Sequence, residues 1–357
     1  MATLFVKPLM ACEAGAGYAT QIVNSTAPAG EGETLIGYDL TPANLLRLPL
    51  AFARICALLR RERPALVISH NSKSSLLPLL AARLMRVPNI VYFNHGVPFI
   101  AYRGLVCALM QLLERLNCLL AHQVLTVSTD MKRILDTFVP PGKVSIINRG
   151  SACGIDLAVF RRELYGESTF RRDQGIAADD FVTVFIGRAE LRKGIGLALD
   201  LWREHFSTRP GYRLLLCGAS ADEVCALYGE VPTQVTCLGF CPNIAEVLSS
   251  ANSLILPSQH EGMPYAVLEA MACGCVPVVN DIEGIRCLVE NGVNGFLVRD
   301  NAPQAYVYIL TALRERPQPI PALRVSAVVT AAGFARDRFL AVYLERLRAL
   351  IGHGVGG

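Results

Sequence analysis

Two acids, Glu261 and Glu269, stand eight positions apart in QHEGMPYAVLEAMACGCVPVV at 259–279. SLILP (253–257) reads as a strand and SQHEGM as the loop at its end. Pro264 suits the first helical position, and Gly274 stops the helix just after Cys273. Glu261 then points from the loop, while Glu269 sits on the second helical turn. Between them the backbone N–H groups of Met263, Tyr265 and Ala266 lie at the positive end of the helix dipole, which suits phosphate. Carboxylates beside a phosphate site would repel that ligand and should instead accept hydrogen bonds from hydroxyls. The pattern therefore fits a polyol on each side of a diphosphate. It also fits a solvent-facing helix with two incidental acids, and the spacing alone leaves both open.

A second constellation is FIGRAELRKGIG at 185–196. The strand ends at Gly187, and Arg188 and Lys193 occupy a short loop before a helix. Two cations at a strand end can neutralise a diphosphate leaving group, although such residues are often plain solvated charges. LLLCGAS (214–220) runs from a strand into a turn at Gly218, a weak phosphate-loop signal. In the first half, ISHNSKSS (68–75) and YFNHGVPF (92–99) follow strands and place Lys73, Asn94 and His95 at strand ends. Gly15 and Gly17 in GAG follow the first predicted strand and could let a ligand approach the backbone, a weak signal by itself. PPGK (140–143) lacks the spacing of a phosphate-binding P-loop.

These segments need a scaffold that brings strand ends together. Strands are predicted near 3–8, 34–38, 65–69, 89–93, 123–127 and 144–147, then near 181–186, 212–217, 235–238, 253–257, 276–279 and 296–298. Helices are predicted near 43–62, 74–86, 103–119 and 129–137, then near 194–207, 221–228, 243–250, 264–273, 302–314 and 335–350. Continuous apolar strands alternating with helices indicate parallel sheets covered on both faces. Two such series predict an α/β chain of two doubly wound domains, joined near 148–160. Ligands of open α/β sheets bind outside the carboxyl ends of the strands, so facing sheets would line a cleft with strand-end loops.

The 357 residues suit two domains, and 52% hydrophobic residues exclude global disorder. The net charge of +4 is unevenly spread: residues 1–150 hold 15 Lys and Arg against 8 Asp and Glu, and the remainder is acidic. A basic first half suggests an anionic partner there. Its basic residues are not interleaved with aromatics, which disfavours nucleic acid. The 12 cysteines are scattered in apolar runs without CxxC pairs or zinc spacing, as expected of core thiols in a reducing cytosol. The N-terminus reads directly as a strand, without a signal peptide. The most apolar windows, 48–59 and 105–120, are interrupted by Arg54 and by Glu114 and Arg115, short of a membrane span. Cationic apolar helices of this kind can rest on a membrane surface, or can pack against the first sheet.

Together these residues resemble the retaining glycosyltransferases of family 4, with the GT-B fold of two Rossmann-like domains facing across a cleft. EGMPYAVLE resembles that family's E-x7-E element, and IGRAELRKG its Gly-Arg and Lys-Gly element. HNSKSSLLPLLAARLMRVPNIVYFNHGVPF is similar to its acceptor-domain signature, as in bacterial capsule and O-antigen transferases. GIDLAVF (154–160) resembles its interdomain linker, and the likeness spans about 60–300.

The resemblance implies an acceptor domain over 1–152, a nucleotide-sugar domain over 153–333, and a last helix over 334–352 that crosses back to the first. It implies that Glu269 binds ribose hydroxyls and Glu261 donor-sugar hydroxyls. Arg188 and Lys193 would hold the diphosphate, with Met263, Pro264, Tyr265, Gly187 and Gly218 around the nucleotide. His95 would line the donor–acceptor junction, and Gly15 and Gly17 would border acceptor and phosphate. The family is usually metal-independent, and no D-x-D stands near a strand end, so no cofactor is expected beyond a nucleotide-sugar co-substrate, with UDP favoured. The acceptor would be a glycan or a polyprenyl-diphosphate-linked saccharide, and the enzyme cytoplasmic or peripheral on the inner membrane face. A same-fold sugar-nucleotide epimerase and a non-catalytic partner subunit are the competing readings.

Overall fold

Runs such as FVTVFI, YRLLLC and VPVVN are apolar at every position, so as strands they must be buried on both faces. The computed structural model describes residues 7–19, 22–24, 33–36, 46–316, 318 and 320–352. In chain order come α1 (Lys7–Gly15), β1 (Ile22–Asn24), β2 (Glu33–Leu35), α2 (Leu48–Glu62), β3 (Leu66–His70), α3 (Ser72–Leu84), β4 (Asn89–Asn94), α4 (Gly104–Leu120), β5 (Gln123–Thr126), α5 (Thr129–Leu135) and β6 (Val144–Ile146). Next are α6 (Phe170–Asp173), β7 (Phe181–Ile186), α7 (Ile195–Leu201), β8 (Tyr212–Cys217), α8 (Ala221–Tyr228), β9 (Val235–Gly239), α9 (Ile244–Ser250), β10 (Ser253–Leu256) and α10 (Tyr265–Ala272). The chain closes with β11 (Val276–Asn280), β12 (Phe296–Val298), α11 (Pro303–Glu315), α12 (Ile320–Ala332) and α13 (Arg336–Gly352).

The chain forms two units, Met1–Gly154 with Asp337–Gly357, and Ile155–Arg336. In the first, β3-β4-β5-β6 make a parallel sheet in that order, and β1 and β2 make a separate parallel pair. Tyr92, Phe93, Val124 and Leu125 are buried in its core. α13 joins this unit through buried Tyr343, whose hydroxyl donates to Glu13 Oε1 on α1 (2.5 Å), and through Arg346, which donates to Ser145 Oγ on β6 (2.9 Å).

The second unit holds a six-stranded parallel sheet in the order β12-β11-β10-β7-β8-β9. The chain grows outward from β7 through β8 to β9, then returns to β10 and grows the other way. β7 and β10 are thus the neighbours at which the strand order reverses. Such switch points place ligands at the carboxyl ends of the two strands. Trp202, Phe185 and Leu215 are fully buried beneath this sheet's helices. Among the described residues no helix is long and apolar enough to cross a membrane.

The sheets follow the sequence reading closely, while one predicted strand is corrected and one helix is added. Residues 7 and 8 of the expected strand 3–8 begin α1 instead, and residues 3–6 lie outside the described residues. Leu9, Met10, Ala11, Glu13 and Ala14 are strong helix formers, and proline is tolerated in a first turn. Of the strand expected at 34–38, β2 takes Glu33–Leu35, and 37–38 lie outside the described residues, as do 43–45 of the helix expected at 43–62. α12 was not anticipated: Pro321 and the Val325, Val328 and Val329 positions obscure its period, yet it buries Leu323, Ala327 and Ala331.

Candidate active site

The loops leaving β7 and β10 meet at the switch point of the second sheet. Gly194 makes that approach possible: its φ is +81°, and a Cβ there would lie 2.2 Å from the Pro257 carbonyl oxygen. The backbone N–H of Gln259 donates to the Arg192 carbonyl (3.0 Å), clipping the loops together. Lys193 Nζ then donates to Glu261 Oε1 at 2.7 Å. Glu261 is buried, and its Oε1 also accepts from Ser258 Oγ at 2.8 Å. Asn280 at the end of β11 donates to the Ser258 carbonyl (2.8 Å), and its buried Oδ1 has no hydrogen-bond partner among the described residues.

The backbone behind Glu261 is fixed from another side. A Cβ on Gly284 would lie 2.5 Å from the Glu261 carbonyl oxygen and 2.4 Å from that of Gly262. The loops at the ends of β7 and β8 also touch: a Cβ on Gly218, φ +90°, would approach the Gly187 carbonyl oxygen to 2.8 Å. Arg188 projects from Gly187's loop with its side chain 76% exposed and pairs with Glu190 at 2.9 Å. Glu190 pairs in turn with Arg192 at 3.2 Å.

α10 begins at Tyr265, so Pro264 is the residue just before the helix instead of its first member. Met263 and Pro264, on the turn before the helix, are buried. Glu269 occupies the second turn, half-buried. Burial pushes its carboxyl up to about 7, against the lowering effect of Arg336. Arg336 itself pairs with Asp156 at 2.8 Å. Burial, opposed by Glu261, also lowers the His260 imidazole beside the pair.

In the first unit His95 follows β4. Its Nε2 lies 2.9 Å from Nδ1 of His70, the last residue of β3, and its ring stacks on Phe93 with centroids 4.9 Å apart. Burial holds His70 down at about 4 and His95 well below its usual value, with His70 lowering it further. Lys73, also singled out at this strand end, is exposed on the first turn of α3. Gly15 ends α1, and Gly17 follows it in a turn with φ +87°, so this pair stands after a helix and not after a strand. Among the described residues a Cβ on either would meet nothing within 4 Å.

The structure brings Glu261, Lys193, Gly187, Gly218 and the start of α10 to one edge of the second sheet. His95 stands on the other unit. The sequence reading missed Ser258, Asn280, Gly194, Gly284 and His70. Gly194 and Gly284 carried the available signal, as glycines in strand-end loops. Among the described residues no cluster of three His, Cys, Asp or Glu could hold a metal ion, and the cysteines are free thiols.

Two family models match this chain: Glycosyltransferase Family 4 over residues 14–153, and Glycosyl transferases group 1 over residues 167–321. The chain belongs to the family 4-like glycosyltransferases. An Escherichia coli relative, UDP-Gal:alpha-D-GlcNAc-diphosphoundecaprenol alpha-1,3-galactosyltransferase, is 26% identical over 72% of this chain and 68% of its own. The Staphylococcus aureus capsular polysaccharide biosynthesis glycosyltransferase CapM is 22% identical over 76% of this chain and 75% of its own. Among solved structures, Anabaena Alr3699/HepE in complex with UDP and glucose superposes with a TM-score of 0.74 at 20% identity, covering 88% of this chain and 85% of that one. This glycosyltransferase has the GT-B fold, with the family-4 match on the unit bearing His95 and the group 1 match on the unit bearing Lys193 and Glu261.

Proposed function

We propose that this glycosyltransferase moves a sugar from a UDP-sugar to a hydroxyl of a glycan or polyprenyl-diphosphate-linked saccharide, with retention at the anomeric carbon. The observation that carries the reading is the switch point of the second sheet. There a cation, an acid and a helix start converge on one strand edge, as a nucleoside diphosphate joined to a sugar requires. The E. coli relative's name pairs a UDP-sugar with a diphosphoundecaprenol acceptor, which supports both substrate classes.

Lys193 and Arg188 take the diphosphate oxygens, and the start of α10 adds its positive dipole. Glu269 accepts the ribose hydroxyls, and Glu261 those of the donor sugar. In the transfer the bond from the anomeric carbon to the diphosphate oxygen breaks while the acceptor oxygen forms its bond on the same face. The acceptor proton passes to the leaving diphosphate, and the two cations stabilise that group in place of a metal ion. The protein's part is orientation and charge stabilisation.

The acceptor side of the reading rests on α4. Leu105, Leu109, Leu112, Leu116 and Leu119 recur at helical spacing and are 38–77% exposed, while Glu114, Asn117 and Cys118 on the other face are buried. Flanked by Arg103 and Arg115, this stripe suits an anionic bilayer holding a lipid-linked acceptor.

The test is calorimetry with UDP, GDP and ADP, followed by sugar transfer in the presence of a chelator, for wild type and Arg188→Ala. The reading expects UDP to bind, transfer to survive chelation, and the variant to lose about 10²-fold in turnover. Near-normal turnover in Arg188→Ala, or strict dependence on added metal, overturns it.

A further inference from the structure

The first unit contains a buried polar assembly that the reaction scheme does not use. β3 and β4 pair with His70 beside Phe93, and His95 lies two residues beyond Phe93. The three rings pack together, with centroids 5.4 Å apart for His70 and Phe93 and 5.2 Å for the two histidines. Only one hydrogen fits between His70 Nδ1 and His95 Nε2 when both rings are neutral. Whichever ring donates, the other's tautomer is set by the same bond.

The backbone of His95 is held separately. Asn94, fully buried, donates through Nδ2 to the Gly96 carbonyl (2.9 Å) and accepts at Oδ1 from the Gly96 N–H (3.0 Å). One side chain thus clips both polar groups of the residue after His95. Gly96 has φ +149°, where a side chain would strain the turn. The clip is anchored from α4: Glu114 Oε1 accepts from Asn94 Nδ2 (2.7 Å) and from the Tyr92 hydroxyl (2.6 Å). Thr126 on β5 also donates to Asn94 Oδ1 (3.2 Å). Burial raises the Glu114 carboxyl. The lower part of α4 is therefore tied to the turn that presents His95.

Burying this many polar groups is costly unless they are paired, and an apolar ring at position 70 would pack on Phe93 without that cost. We propose that His70 is a positioning residue for the acceptor side of this glycosyltransferase, fixing the orientation and tautomer of His95 on the turn clipped by Asn94. The inference rests on the sugar-transfer reading for its functional half. His95 stands at the carboxyl edge of a parallel sheet, where ligands of such sheets bind. The bond to His70 keeps the imidazole at that edge neutral and oriented.

The experiment combines two readouts on wild type, His70→Phe and His70→Asn. The first is the ring-nitrogen NMR spectrum of ¹⁵N-histidine-labelled protein at pH 7, with His95 assigned by substitution. The second is steady-state transfer from a UDP-sugar to a saccharide acceptor. Wild type should show His95 as a single neutral tautomer. His70→Phe keeps a ring against Phe93 and should give an averaged His95 signal. In the same variant turnover should fall at least about tenfold, with donor KM unchanged. Asn places an amide near the position of Nδ1, so His70→Asn should restore most of both. An unchanged His95 signal in His70→Phe overturns the inference. So does equal loss in the Asn and Phe variants alongside an equal drop in Tm, which marks a merely structural role. Wild type that transfers no sugar from any UDP donor overturns the functional reading instead, while the NMR arm still decides whether His70 sets His95.

Discussion

Lys193 Nζ lies 2.7 Å from Glu261 Oε1, so the cation on the loop after β7 and the acid on the loop after β10 are already joined across the switch point. The pair is unequal in exposure: the Lys193 side chain is 24% exposed and that of Glu261 only 9%. Removing the cation strands a buried acid, whereas neutralising the acid leaves a lysine that still reaches water. Lys193→Met should therefore cost about 2–3 kcal/mol in urea unfolding, and Glu261→Gln less than about 1 kcal/mol. Both should lose transfer activity. Equal stability costs for the two variants would show that the ion pair is not a buried contact in solution.

Glu269 gives a pH dependence with a definite sign. Its carboxyl is raised to about 7, while a carboxylate that accepts two ribose hydroxyls must be ionised. UDP affinity should rise as pH increases from 6 to 8, by about tenfold, and flatten above that range. Binding at pH 7 should release protons, visible as a buffer-dependent enthalpy in calorimetry. The folded-state value lies above the usual one, so its contribution to stability is present at low pH and lost as pH rises through 7. Glu269→Gln should accordingly abolish the slope in UDP affinity and gain stability relative to wild type at pH 8. A UDP affinity independent of pH over this range would remove Glu269 from the ribose site.

Most of the second sheet was legible because a parallel strand buried on both faces leaves a continuous apolar run, as in FVTVFI and YRLLLC. The loops were legible because charged residues directly after such runs fall at strand ends. α1 was misread because an apolar run of eight or nine residues fits a strand or a buried helix equally well. Ser258 and His70 left no local signal: a serine or histidine after a strand is ordinary, and His70's partner is 25 positions away. Glu114 reads as a surface charge on an amphipathic helix. Only the fold shows that it faces Tyr92 and Asn94 instead of the leucine side.

The leucine side of α4 makes its own prediction. Replacing Leu109 and Leu116 together by glutamate puts charge on the exposed stripe without touching the buried face. Flotation with vesicles containing anionic lipid should recover wild type at low salt and lose the double variant. UDP binding should stay unchanged, because the stripe lies on the other unit. Wild type that does not float would direct the search to a water-soluble acceptor.

The histidine pair predicts an acid-side loss of stability. His70 sits near 4 in the folded chain against about 6.5 in an unfolded one. The unfolded state therefore binds the extra proton between those values, and stability must fall as pH drops from 6.5 to 4. For His70 alone the loss is at most about 3.5 kcal/mol, at about 1.4 kcal/mol per pH unit. His70→Phe should flatten the slope in a series of urea titrations over this window. An unchanged slope would mean that other groups carry the acid sensitivity.

Gly194 offers the most direct test of the switch-point geometry. Its φ of +81° is strained for any other residue, and an added methyl would fall 2.2 Å from the Pro257 carbonyl oxygen, which is backbone and cannot swing aside. Gly194→Ala must push the loop after β7 away from the loop after β10. The expected result is at least about 2 kcal/mol of destabilisation together with a fall in UDP affinity, because Lys193 moves with its neighbour. Gly229 is the control: its φ is +96°, yet a Cβ there meets nothing within 4 Å. Gly229→Ala should carry only the backbone cost and leave UDP binding intact. If both variants bind UDP as wild type does, the contact between the two loops is not what builds the nucleotide site.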